Sequence, residues 1–130
     1  MQTNAWTPWN ATPRAPAVAA ALCLAAWTPM ANGEADTRRL ALQGRQLLAQ
    51  YQCGSCHVIP GVARARGTQG PPLTALGRRS YLAGHIPNRA DTLARWIESP
   101  ASLVPGTAMP AMGATPDEAR AMAAYLATLR

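Results

Sequence analysis

Cys53-Gly54-Ser55-Cys56-His57 is the stretch that most restricts what this chain can become. Two thiols separated by two residues, with an imidazole directly after the second, form the C-x-x-C-H signature of covalent haem attachment. One short turn can offer both sulfurs to the two vinyl groups along a haem edge, while the next residue brings a ring nitrogen beneath the iron. Cys53 and Cys56 are then thioether anchors and His57 the proximal ligand. Two other chemistries use the same residue types. A structural zinc site takes four Cys or His ligands, and the remainder of the chain offers only Cys23 and His85; adjacent Cys56 and His57 would also close awkwardly around one small ion. A thioredoxin-like dithiol calls for alternating strands and helices, a pattern this sequence lacks.

The chain has 130 residues, enough for one domain. It contains no Phe, so a core must come from Leu, Ala, Ile, Val, Met and Trp, and its 10 Gly and 12 Pro predict much loop. A domain of this size buries a limited fraction of its surface. A large apolar cofactor at the centre would therefore supply core as well as chemistry, and the protein without it is expected to fold poorly.

Residues 1–31 differ from the rest. Ala15 to Trp27 is an apolar run preceded by Arg14 and followed by Thr28-Pro29-Met30-Ala31. It is shorter than the roughly 20 residues that span a bilayer as a helix. The pattern predicts a signal peptide over 1–31, cleaved after Ala31, with an uncleaved anchor as the alternative, and a domain over 32–130. Cys23 would leave with the leader. What remains carries 11 arginines, no lysine and 6 carboxylates, a formal charge of +5. Such a field steers encounter with a partner bearing an acidic docking surface. The arginines are scattered, which argues against nucleic-acid binding.

Three helical patterns follow the leader. Asp36 to Tyr51 places Leu40, Gly44, Leu47, Leu48 and Tyr51 on one face, with Gly44 marking a close crossing by another helix, for which the last segment, Pro116 to Arg130, is the candidate. Asn88 to Glu98 has Asn88 as N-cap and Leu93, Trp96 and Ile97 on one face, ended by Pro100. Pro116 to Arg130 has Thr115 as N-cap, Pro116 at the first position and Glu118 completing a capping box. Its stripe is Ala119, Met122, Ala123, Leu126 and Leu129, flanked by Tyr125. Val58 to Gly70 reads as loop, and Pro100 to Gly113 as an irregular segment suited to holding Met109 and Met112. No alternating strand pattern of useful length is present. Pro71 offers a carbonyl without a donor, and a haem-ligating His commonly has its other ring N–H held by such an acceptor, which gives Pro71 a role in orienting His57.

The chain resembles the class I c-type cytochromes over most of residues 40–130. Gly70-Pro71 with Leu73 and Gly77-Arg78 is similar to that family's segment supporting the proximal histidine. Leu93, Trp96-Ile97, Pro100 and Pro105-Gly106-Thr107-Ala108-Met109 are similar to its helix and methionine loop. The resemblance implies an all-α fold of three to five helices wrapped around one covalently attached haem c. It makes Met109 the distal ligand, with Met112 as alternative, and places Trp96 along the haem pocket. Arg78, Arg79, Tyr81 or Asn88 are left to serve the propionates. Gly44 stands nine positions before Cys53, one more than is common in the family, so the helix contact is expected to be shifted.

Those implications lead to a periplasmic electron carrier rather than an enzyme, passing one electron at a time between a respiratory donor and a terminal oxidase or reductase. The alternative is a haem c subunit of a larger oxidoreductase that acts on sulfur compounds or alcohols. The expected partners are redox proteins, and any membrane association would come through partner complexes or an uncleaved leader.

Overall fold

In the computed structural model, which describes residues 29–130, helix α1 runs over Pro29–Gln50. A 3-10 turn at Cys53–Ser55 follows it, and another at Leu76–Arg78 precedes a hairpin of β1 (Tyr81–Leu82) and β2 (Ile86–Pro87). Helices α2 (Ala90–Glu98), α3 (Pro100–Leu103) and α4 (Pro116–Thr128) complete the order. The expected leader falls mostly on residues outside those described; its last three residues open α1. Among the described residues no helix is long and apolar enough to cross a membrane.

The core is built where α1 and α2 lie against α4. Leu47 and Leu48 from α1, Leu93, Ala94 and Ile97 from α2, and Ala119, Ala121, Met122, Ala123 and Leu126 from α4 are all buried. Burying one side chain the size of Met122 stabilises the fold by about 1.5–3 kcal/mol. The tightest point is Gly44, where an added Cβ would run into the backbone of Ala121. The close crossing expected at Gly44 is therefore present.

Several boundaries differ from expectation for physical reasons. Helix α1 begins earlier than Asp36, and its packed stripe uses Ala41 in place of Leu40, which is 37% exposed. Helix α2 begins at Ala90, two residues beyond Asn88. Arg89 stands at its N-cap without a side-chain bond, since a guanidinium has no acceptor to offer, and Asn88 one residue earlier donates its amide hydrogens to the Leu76 and Arg79 carbonyls. Pro100 does not open an irregular segment but starts α3, where a proline fits because the first helical N–H has no partner in any case. Helix α4 ends at Thr128, and its capping box is complete: Thr115 Oγ1 accepts from the Glu118 N–H at 3.3 Å, and Glu118 Oε2 accepts from the Thr115 N–H at 2.9 Å. The small hairpin, absent from the expected pattern, pairs Leu82 with Ile86, both buried, across a tip at Ala83-Gly84-His85. His85 is exposed at that tip.

Candidate haem-binding site

Helix α1 stops because Gln52 takes a left-handed conformation with φ of 55°. The Tyr51 N–H still donates to the Leu47 carbonyl, after which the chain turns sharply into Cys53–Ser55. The Cys53 carbonyl accepts from the N–H groups of both Cys56 and His57, at 3.3 and 3.1 Å, so the pentapeptide closes on itself as one compact turn. Gly54 permits the following loop to fold back over this turn. A Cβ there would press on Ala65, and its carbonyl accepts from the Gly67 N–H at 3.0 Å.

The same loop returns to the histidine. The Gly70 N–H donates to the Cys56 carbonyl and the Leu73 N–H to the Val58 carbonyl, each at 2.8 Å. Between these anchors the Pro71 carbonyl lies 2.7 Å from His57 Nδ1, close enough to accept the ring N–H and leave Nε2 free as a donor to a metal. Gly70 lies flat against the imidazole, and any side chain at that position would collide with the ring. The ring is thus held by a hydrogen bond at one edge and by backbone on one face.

Burial pushes the Cys53 thiol above its ordinary pKa, opposed in part by a backbone hydrogen bond and reinforced by Cys56. No disulfide joins Cys53 and Cys56. Among the described residues, no three His, Cys, Asp or Glu side chains are arranged to hold a metal ion.

The other expected site residues come from three separate elements. Trp96 sits on α2, half-buried, and joins Cys53, Leu73, Leu103 and Val104 in a set of partly buried apolar side chains packed on the core. Met109 is also half-buried, on the segment between α3 and α4. That segment is shaped by a turn in which the Thr107 N–H donates to the Val104 carbonyl at 3.1 Å, with Pro105 and a positive φ at Gly106 in the middle, the pattern of a type II turn. The Met109 N–H then donates to Thr107 Oγ1 at 3.3 Å. Met112, in contrast, is 45% exposed. Arg78 is exposed at the end of its 3-10 turn. The neighbouring Arg79 is the one that reaches the proline segment, donating from Nη2 to the Pro72 carbonyl at 2.5 Å.

Sequence reasoning places Gly70 in the segment that supports His57 but misses two contacts: Arg79 on Pro72, a residue it leaves to the propionates, and Tyr125, whose hydroxyl donates to the Pro60 carbonyl at 2.6 Å.

The Cytochrome c family model matches residues 41–130, well over half of the chain. This chain belongs to the cytochrome c family. Membership implies haem c with its iron as the cofactor and electron transfer as the activity, and the described helices fit the family's all-α architecture. This cytochrome c chain is also similar to two curated proteins named cytochrome c oxidase subunit 2. It is 35% identical to that of Alkalihalophilus pseudofirmus over 108 residues, which is 81% of this chain and 31% of the relative. It is 33% identical to that of Bacillus subtilis over 72 residues, or 54% of this chain and 20% of the relative. The cytochrome c chain thus corresponds to under a third of the length of these relatives. No solved structure matches it.

Proposed function

We propose that this chain carries single electrons, outside the cytoplasm, on one haem c attached through Cys53 and Cys56 and ligated by His57 and Met109, and that it delivers them to a terminal oxidase. The observation that carries this reading is the Cys53–His57 turn with the Pro71 carbonyl 2.7 Å from His57 Nδ1. Haem iron, when bound, supplies a one-electron couple that a His and Met ligand pair shifts toward the ferrous form. The chain's own residues do the rest. Each thiol adds across a vinyl group, its sulfur bonding one carbon and its hydrogen passing to the other, with no oxidant required. Pro71 fixes the tautomer of His57. Trp96, Leu73, Leu103 and Val104 keep water from the haem face. Arg78 is exposed where it can meet a propionate.

Met109 is preferred over Met112 because it is half-buried behind an ordered turn, whereas Met112 faces solvent. The test is carbon monoxide binding to the reduced protein at neutral pH. The wild type is expected to resist it, Met109→Ala to bind promptly, and Met112→Ala to behave as wild type. Prompt binding by the wild type sinks the closed six-coordinate site, and binding by Met112→Ala alone reassigns the ligand.

A second reading, a haem c subunit of a multi-subunit oxidoreductase, is favoured by the names of the two relatives, each an oxidase subunit. Whether the native protein migrates alone or with other chains separates the two. A free carrier steered to an acidic surface should also lose association rate steeply as salt rises.

A further inference from the structure

Pro71 and Pro72 bring two carbonyls and no N–H to the segment that supports His57. Backbone bonds hold its two ends, at Gly70 and Leu73, but the carbonyls between them are fixed only by side chains. His57 meets the first, and Arg79 Nη2 donates to the second. Arg79 is itself held from below. The Asn88 side-chain amide donates to the Arg79 carbonyl at 2.9 Å and to the Leu76 carbonyl at 2.8 Å, using both hydrogens of one part-buried nitrogen to clamp the two sides of the 3-10 turn. The Asn88 N–H adds a bond to the Ser80 carbonyl at 2.9 Å. Asn88 stands one residue ahead of the N-cap of α2, and with its amide hydrogens committed to backbone it is not a free donor to a propionate.

We infer that Asn88 is a positioning residue for His57: by fixing the backbone at Leu76 and Arg79 it sets the reach of the Arg79 guanidinium to the Pro72 carbonyl, and so aims the adjoining Pro71 carbonyl at Nδ1. The inference rests on the proposal that His57 is an iron ligand. Hydrogen bonding at Nδ1 raises the basicity of the opposite ring nitrogen, which favours ferric iron. Releasing the clamp weakens that bond and moves the potential upward. A residue that only braces the turn would change stability and nothing at the ring.

The experiment compares haem-loaded wild type with Asn88→Ala, a change without charge, by the hyperfine-shifted His57 proton resonances and by the midpoint potential. Asn88→Ala is expected to exchange the His57 Nδ1–H with solvent about ten-fold faster, the scale of one lost hydrogen bond, and to raise the potential. Arg79→Lys, which keeps the charge but not the planar fork, should move both readouts the same way by less. Thr115→Ala, which loses a helix cap elsewhere, should lower the melting temperature and leave both unmoved. If Asn88→Ala lowers the melting temperature with His57 resonances and potential at wild-type values, the inference is overturned. Should Asn88→Ala not accumulate, Arg79→Lys decides on the same criterion. Failure of the underlying reading looks different: the wild type itself would lack covalent haem or a His57 ligand signature, and both statements would fall together.

Discussion

At Gly44 the crossing of α1 over α4 is set by a missing side chain, since a Cβ would meet the Ala121 carbonyl. Helix propensity alone says that Gly44→Ala gains about 1 kcal/mol. Overpacking against immovable backbone costs about 1–3 kcal/mol and occasionally more. Because the obstacle is main chain, we expect the upper part of that range to win. Gly44→Ala should lower the melting temperature by roughly 4–8 °C, the shift that about 1 kcal/mol produces in a domain of this size, and a rise in melting temperature would refute the close crossing. The crossing was legible because a glycine on an otherwise apolar stripe is costly unless something needs the space. The partner helix was legible too, as the C-terminal segment, but the contacting residue was not, since Ala121 lies off the simple apolar stripe of α4 and touches α1 through its backbone. Asn88 shows the opposite failure. Its position invites a capping assignment, but α2 starts one residue later than that needs, and the two carbonyls that receive its amide hydrogens belong to a turn about ten residues earlier that no local pattern announces.

Among the elements, α4 was the most legible and α1 the least well bounded. The capping box of α4 is written in four consecutive residues, and the fold adds one contact they do not reveal: Tyr51 donates its hydroxyl to Glu118 Oε2 at 2.9 Å. Hydrogen bonds from the Thr115 backbone, the Thr115 hydroxyl and Tyr51 hold the Glu118 carboxyl below its usual pKa, and the same contact raises the Tyr51 pKa. A depressed carboxylate contributes stability that is present above its unfolded pKa of 4.5 and is lost as pH falls through the lower folded value. The wild type should therefore lose part of its thermal stability on acidification below that value. Glu118→Gln should lose less over the same interval, and equal acid sensitivity in the two proteins would count against the box as its source. At neutral pH, Thr115→Ala should cost about 1 kcal/mol by thermal unfolding. The early start of α1 could not be read from its stripe, because residues 33–40 are exposed and carry no apolar period.

For the molecule as a whole, the all-helical class was legible from three periodic segments, while the hairpin was not, being only two residues a side. The haem turn was legible from five residues. Its support was partly so, because Pro71 carries a signal in the sequence and Arg79 carries none. The set of Cys53, Leu73, Trp96, Leu103 and Val104 packs on the core yet stays partly exposed. Such surface is costly to leave wet in a small domain. Cys53→Ala combined with Cys56→Ala, which removes covalent attachment, is expected to broaden or abolish cooperative thermal unfolding followed by circular dichroism in haem-free protein. A sharp, wild-type-like transition would refute the idea that the cofactor is part of the core.

In α1 every residue from Gly33 to Leu40 is exposed, and Ala41 is the first buried side chain after them, so about 12 Å of helix runs ahead of the packed domain. A helical stretch without tertiary packing frays easily. Brief trypsin treatment should therefore cut after Arg38 or Arg39, while Arg45, in the turn between Gly44 and Leu47 that α4 covers, stays intact. The trimmed product should melt like the parent, which makes this overhang a cleavable stalk joined to the electron-carrying body.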